Sequence, residues 1–279
     1  MGEQEIGLVG FVCPQTGRDS MFEYCINYCE RKCMTLPAIL AMAASNRGVE
    51  ENVFHVTEIL NPPQVVYLSR KTQYFAPPHS LVNSLLGTGF HSVMEKGHSM
   101  LTGGMADRFE SEQPFSIEIA GCILTGRPDL YDRATKTLID YKTIKLYAVK
   151  LLKEGHFDDS KYKDQINIYR TFKYPEAEHL ILEVVSKDWM EYNWKADGIY
   201  QIEDIEVPME PMTEMRAMVE CKILEHKQAL ETGRYRQCTD DERWLNRNPR
   251  SKNYGKYTRC MGFCSVSKNC EQCRSTNES

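Results

Sequence analysis

The 279-residue sequence contains no uninterrupted apolar run near the ~18 residues that a membrane-spanning helix needs, so none is expected. Its first stretch, Met1 to Gly10, carries two glutamates and no lysine or arginine, which argues against a secretory leader and for an intracellular, cytoplasmic protein with no membrane partner. An overall excess of positive charge is also missing, since the net charge is −5. The charge is unevenly spread, however. From Gly233 onward ten Lys or Arg face five Asp or Glu, so the tail is +5 and the remainder −10. A basic tail is compatible with binding a phosphate backbone. With 42% hydrophobic and 26% charged residues, the chain has an ordinary globular composition and the length to bury a core without disulfides.

Cysteine is the abundant exception. Eleven are present: four between residues 13 and 33, five between 238 and 273, and Cys122 and Cys221 alone. In a reducing compartment metal coordination accounts for such grouping better than disulfides do. Cys13, Cys25, Cys29 and Cys33 form a set fit for a tetrahedral zinc site, although paired C-x₂-C knuckles are missing. The last three of them, at i, i+4 and i+8, are expected on one helix face. Cys122 and Cys221 are expected to be buried small hydrophobes.

The most informative stretch is GRPDLYDRATKTLIDYKT, residues 126 to 143. Cys122-Ile123-Leu124 and Thr137-Leu138-Ile139 read as short strands around a polar turn at residues 132–136. If the hairpin is symmetric about Ala134 and Thr135, Asp129 and Asp140 lie opposite each other, with Cβ atoms ~4.5–5.5 Å apart. Side chains alternate along a strand, so Lys142 shares the face of Asp140. Two carboxylates held so close repel unless a cation sits between them. Oxygen ligands select Mg²⁺ or Mn²⁺, and a lysine at their side can orient or deprotonate an attacking water. That is the chemistry of metal-assisted phosphodiester hydrolysis.

Other segments extend the pattern. Thr57 reads as an N-cap ahead of Asn61-Pro62-Pro63. Residues 81–97 carry helical periodicity together with His91 in a G-T-x-x-H sequence. Gln165 and Tyr169 stand at i and i+4 on a further helical stretch. Residues 209–232 read as a long helix ending near Gly233. Cys238, Cys260, Cys264, Cys270 and Cys273 complete the tail.

Four of these motifs occur in an order that resembles RecB-like nucleases of the PD-(D/E)XK superfamily: His91, Asp129 in GRPD, Asp140 with Lys142 in IDYKT, and Gln165 with Tyr169. The likeness extends over residues 54 to about 195. It implies a mixed sheet flanked by helices, with His91, Asp129, Asp140 and the carbonyl of Tyr141 as metal ligands. Lys142 would position water, and Gln165 and Tyr169 would hold the site and the DNA. The CRISPR-associated exonucleases of this superfamily, which the chain also resembles, carry an iron-sulfur cluster on one N-terminal and three C-terminal cysteines. Here Asn61-Pro62-Pro63 replaces the N-terminal cysteine. The tail cluster is therefore expected on Cys260, Cys264 and Cys270 with Cys238 or Cys273, and zinc on the same thiolates is the alternative.

The resulting expectation is an α/β chain in three segments. Residues 1–50 would be a cysteine-rich module, 51–208 a PD-(D/E)XK nuclease core, and 209–279 a helix with a cysteine-rich basic tail. The chain would be a Mg²⁺- or Mn²⁺-dependent deoxyribonuclease, an exonuclease of DNA processing or recombination. It would come from a bacterial or phage setting, with DNA and other DNA-processing proteins as partners. The alternative is a nucleic-acid-binding module whose nuclease core is structural.

Overall fold

The computed structural model describes residues 6–30, 33–44, 49–157 and 161–277, the side chains of residues 193, 194, 276 and 277 excepted. In chain order the strands are β1 (Gly7–Val12), β2 (Asp19–Met21), β3 (Val53–His55), β4 (Gln73–Ala76), β5 (Phe109–Ser111), β6 (Phe115–Ile119), β7 (Cys122–Gly126), β8 (Leu130–Asp132), β9 (Thr137–Ile144), β10 (His179–Ser186) and β11 (Ile202–Glu206). They form an α/β fold of mixed sheets flanked by helices, in two compact units. Among the described residues no helix is long and apolar enough to cross a membrane.

The first unit gathers residues 1–51, 61–85 and 224–279. The second takes 52–60 and 86–223. These do not coincide with three consecutive segments, because strand pairing joins distant parts of the chain: β1 is the central strand of a β2-β1-β4 sheet, parallel to β4. Antiparallel pairing with β2 demands glycine at position 10, where a Cβ would lie 2.1 Å from the Ser20 carbonyl oxygen. Phe11 packs with Ile39 and Met42 from the Leu36–Ala44 helix. A second cluster combines Leu68 and Val266 with Cys260, Cys270 and Cys273. The tail is anchored to this unit's sheet by Asn269 Nδ2 donating to Gln73 O at 2.7 Å and by Lys268 Nζ at 2.6 Å from Asp19. Gly233 ends the Met212–Thr232 helix in the left-handed region, with φ 69° and its N–H on Ala229 O, as a glycine cap does.

In the second unit one sheet has the order β11-β10-β9-β8-β5 and another the order β3-β7-β6. β9 and β10 run parallel and are joined through the Leu146–Lys153 and Tyr162–Phe172 helices, the long crossover that parallel strands require. Leu138, Leu180, Leu182 and Val184 form a fully buried stripe with Ile166 and Ile168 of the second helix. Each such side chain contributes about 1.5–3 kcal/mol by leaving water.

Four expectations change here. The strand containing Cys122 to Leu124 is not the hairpin partner of β9. It pairs with β3 and β6, because Pro128 interrupts the chain before β8 and only Leu130–Asp132 pairs with β9. Cys25, Cys29 and Cys33 do not share a helix. The helix stops at Asn27, and the chain leaves the helical path before the next helix, which opens with Leu36 and Pro37. The N-cap of the Val56–Ile59 helix is His55, whose N–H donates to Glu58 Oε2 at 3.5 Å, rather than Thr57. Of the two solitary cysteines, Cys122 is buried and Cys221 exposed, since the latter lies on the solvent face of the Met212–Thr232 helix.

Candidate functional site

The β8–β9 hairpin has the register Leu130↔Ile139, Tyr131↔Leu138 and Asp132↔Thr137, symmetric about Ala134 and Thr135. Its turn is held by the Asp132 carboxylate, which accepts from Ala134 N at 3.0 Å, Thr135 Oγ1 at 2.9 Å and Arg108 Nε at 2.7 Å. Lys136 closes the turn with φ 52°. One step further along this register, Asp129 faces Asp140. Likewise β5 pairs with β8 as Ser111↔Leu130, so the next step sets Glu112 opposite Asp129. Glu112 N–H donates to Asp129 O at 3.0 Å, and its φ of 54° is a strained value for a residue with a side chain. Three carboxylates, from Glu112, Asp129 and Asp140, therefore stand in one row across three strands.

His91 reaches this row from the Pro78–His98 helix, with Nδ1 3.1 Å from Asp129 Oδ1 and 3.9 Å from Glu112 Oε1. One ligand atom each of His91, Glu112 and Asp129 lies within 4.8 Å of the others, a spacing fit for a shared metal ion. Hydrogen bonds to Asp129 and Glu112 raise the imidazole pKa to about 9. Asp129 is oriented by the N–H of Tyr141, which donates to Oδ2 at 2.7 Å. Glu112 is also paired with the exposed Arg127, Nε to Oε2 2.6 Å.

Asp140 is 1% exposed within the apolar stripe, beside Leu182 in the β9–β10 register. Burial pushes its carboxyl up to about 6, against the pull of Lys142 and with the help of the Asp129 charge. Lys142 Nζ lies 2.5 Å from Asp140 Oδ2, an ion pair between two groups largely withdrawn from solvent. Burial alone would lower the Lys142 pKa, but the charges of Asp140 and Asp129 raise it, so the ammonium keeps its proton. The Tyr162 ring lies 5.4 Å from Nζ and covers it. Gln165 Nε2 donates to Asp140 Oδ1 at 3.3 Å and to Tyr169 Oη at 3.1 Å, which joins the i, i+4 pair to the carboxylate row.

Gly126, the first residue of GRPD, is needed for this arrangement. A Cβ there would lie 2.6 Å from Phe115 Cε1 and 2.9 Å from Tyr169 Cε1, both ring atoms with little room to yield. Every sequence-derived residue of the hydrolytic set, His91, Asp129, Asp140, Tyr141, Lys142, Gln165 and Tyr169, is thus brought together. Glu112 was missed. Only the pairing of β5 with β8 reveals it.

The two groups of cysteines lie in the other unit. Cys238, Cys260, Cys264, Cys270 and Cys273 line one cavity together with Gln64. Cys273 is hydrogen-bonded to Cys260, Cys264 and Cys270, and those bonds draw the Cys264 thiol down to about 7 and Cys270 to about 6. Burial and the Glu242 charge push Cys238 up to about 12. Of the two alternatives for a fourth ligand, Cys273 is the one in contact with the other three. Gln64 Nε2 donates to Cys270 Sγ at 3.3 Å, while its Oε1 accepts from Cys238 N at 3.0 Å. Several thiols converging in one pocket, which Gln64, Glu242, Arg243, Arg259 and Gln272 also line, suit a thiophilic metal or an iron-sulfur cluster.

At the other end of the chain, Cys13 follows β1 in a turn closed by its N–H on Arg18 O at 2.8 Å. Hydrogen bonds from Thr16 and Gln15 lower its pKa. Cys25 Sγ contacts Ser20 Oγ at 3.3 Å. Burial raises the Cys33 pKa.

No protein-family model and no curated protein matches the chain. Among solved structures it is similar to that of SSO0001, with a TM-score of 0.45 and 18% identity over 84% of this chain and 92% of that chain.

Proposed function

We propose that this chain is a divalent-metal-dependent nuclease of the PD-(D/E)XK type that hydrolyses phosphodiester bonds in DNA, as an exonuclease of DNA processing or recombination. The observation that carries this reading is the carboxylate row Glu112, Asp129 and Asp140, met by His91 and Lys142. The row fits a hard cation because its donors are oxygens and one imidazole nitrogen, and ligand atoms of His91, Glu112 and Asp129 lie within 4.8 Å of one another. His91, Glu112, Asp129, Asp140 and the carbonyl of Tyr141 would hold Mg²⁺ or Mn²⁺. Bound there, the ion would supply Lewis acidity toward a phosphate oxygen and lower the pKa of a water.

The protein's own groups do the positioning. Lys142, beside Asp140, would orient the water or the phosphate. Asp140 fixes the lysine from one side and the Tyr162 ring shields it from solvent. Gln165 holds Asp140 in place and is itself held by Tyr169. At the cysteines we propose zinc for Cys13, Cys25, Cys29 and Cys33, and an iron-sulfur cluster or zinc for Cys260, Cys264, Cys270 and Cys273. The test is cleavage of labelled DNA by purified protein in Mg²⁺ or Mn²⁺ against a metal-free control, with Lys142→Ala beside the wild type. Metal-dependent cleavage that Lys142→Ala loses supports hydrolysis. DNA binding without cleavage in either metal supports the binding-module alternative.

A further inference from the structure

We propose that the loop at residues 244–256, with the aromatic pair at its base, is a binding surface for single-stranded nucleic acid. The loop carries Arg247, Arg250, Lys252 and Lys256 and no Asp or Glu. Arg247 pairs with Asp241 at 2.9 Å, whereas Arg250, Lys252 and Lys256 are exposed and have no ion-pair partner among the described residues. The charge is displayed on a defined backbone. Asn246 N donates to Lys256 O at 2.9 Å and Gly255 N to Asn246 O at 2.8 Å, which closes the loop at its neck. Inside it, Asn248 N donates to Asn246 Oδ1, Arg250 N to Asn248 Oδ1, and Asn253 N to Ser251 Oγ. A loop so pinned presents its cations at little further entropic cost.

The aromatics provide a second, independent observation. Trp244 and Phe263 have ring centroids 5.5 Å apart and are 43% and 69% exposed, and Tyr254 on the loop is 59% exposed. Trp244 is held at φ 57°, a conformation that costs energy in a residue with a side chain, and it projects the indole outward. Arg259 supports the indole from beneath, 5.7 Å from its ring. Unpaired cations beside exposed rings match the chemistry of a strand whose phosphates meet the lysines and arginines while unstacked bases lie on the rings. A duplex hides its base faces and gains nothing from the rings. The proposal borrows from the nuclease reading only the choice of DNA as probe.

The test measures fluorescence anisotropy of a labelled oligo(dT) with full-length protein and no added divalent cation, so that binding is read apart from cleavage. The Arg250→Glu, Lys252→Glu, Lys256→Glu triple variant should weaken binding more than tenfold and flatten the log–log salt dependence by about 2, three contacts at ~0.7 each. Trp244→Ala and Phe263→Ala should each weaken it about tenfold with the salt slope unchanged. Far-UV circular dichroism checks the fold, and the triple variant changes only exposed side chains. Triple-variant binding within twofold of wild type with the same slope overturns the proposal, as does equal affinity for a duplex of the same length. If binding follows these expectations while no metal supports cleavage, the surface stands and the hydrolytic reading falls.

Discussion

The carboxylate row and the cysteine pocket are built on opposite principles. In the row, the three carboxylates are placed by strand register, and the charges neutralise one another: His91 against Asp129, Arg127 against Glu112, Lys142 against Asp140. In the pocket, thiols from turns and short helices converge against Leu68 and Val266, with hydrogen bonds among themselves. The first suits a hard cation that binds oxygen and keeps water for chemistry. The second suits a soft centre enclosed by sulfur. A site of the first kind keeps its scaffold when one ligand is lost, because the ladder survives. A site of the second kind is part of its own scaffold.

The strongest way to break this contrast is to remove one charge from the row. Asp129→Ala, Asp140→Ala and Lys142→Ala should each lower metal-dependent cleavage by about 10²–10³-fold or more while DNA binding persists. Single-turnover cleavage against anisotropy separates the two effects. Full activity in Lys142→Ala would leave the row as a structural ion-pair network.

The pocket should answer differently. If the pocket holds the proposed metal, Cys264→Ser or Cys270→Ser should release it and, because thiolate ligation is coupled to folding, strip hydrogen-exchange protection from the Thr258–Gly262 and Glu271–Asn277 helices. Protection in β9 and β10 should remain. Cys25→Ser should remove metal from the N-terminal quartet alone; if the tail metal leaves too, the two cysteine groups build one site. Deleting the N-terminal segment would be a poor test, since it removes β1 from the centre of its sheet.

This contrast also explains what could be read from the sequence. The turn and the setting of Asp129 against Asp140 were legible from period-2 alternation and symmetry about Ala134 and Thr135, but the first strand of the hairpin was not: Leu130–Asp132 takes that place, and residues 122–124 pair in another sheet. The face shared by Gln165 and Tyr169 followed from helical spacing. Glu112 was not legible, since nothing local says that Phe109–Ser111 pairs with Leu130–Asp132 rather than with the neighbouring strand. Nor was the role of Gln64. Pro63 opens the Pro63–Lys71 helix and thereby sets Gln64 against Cys270, 206 residues away. The choice of Cys273 over Cys238 is of the same kind, a packing outcome that spacing alone leaves open.

A smaller effect sharpens the reading of the row. In the proposed metal site His91 is one of several donors, so His91→Ala should raise the metal concentration needed for half-maximal cleavage by about 10–100-fold. Cleavage at saturating metal should be affected far less. An unchanged metal titration would make His91 a packing residue against Tyr141, whose ring centroid lies 6.2 Å away.

The smallest effect concerns the hairpin's own stability, apart from any metal. Asp132 holds the turn that sets the register of Asp129 against Asp140. The Arg108 guanidinium draws its carboxyl down to about 2 from the ordinary 3.8, and Thr135 and Ala134 add their hydrogen bonds. A carboxylate whose pKa is lower in the folded than in the unfolded chain stabilises the fold above the unfolded value and loses that contribution as pH falls through the folded one. Asp132→Asn should therefore lower stability at pH 7, on the order of 1 kcal/mol given the partial exposure of Arg108. The gap from wild type should be constant down to about pH 4 and close between there and about pH 2. Urea unfolding across that range measures it. A gap that persists unchanged at the acid end would assign the loss to the neutral hydrogen bonds of the turn rather than to the ion pair, and the register of the row would then rest on backbone geometry alone.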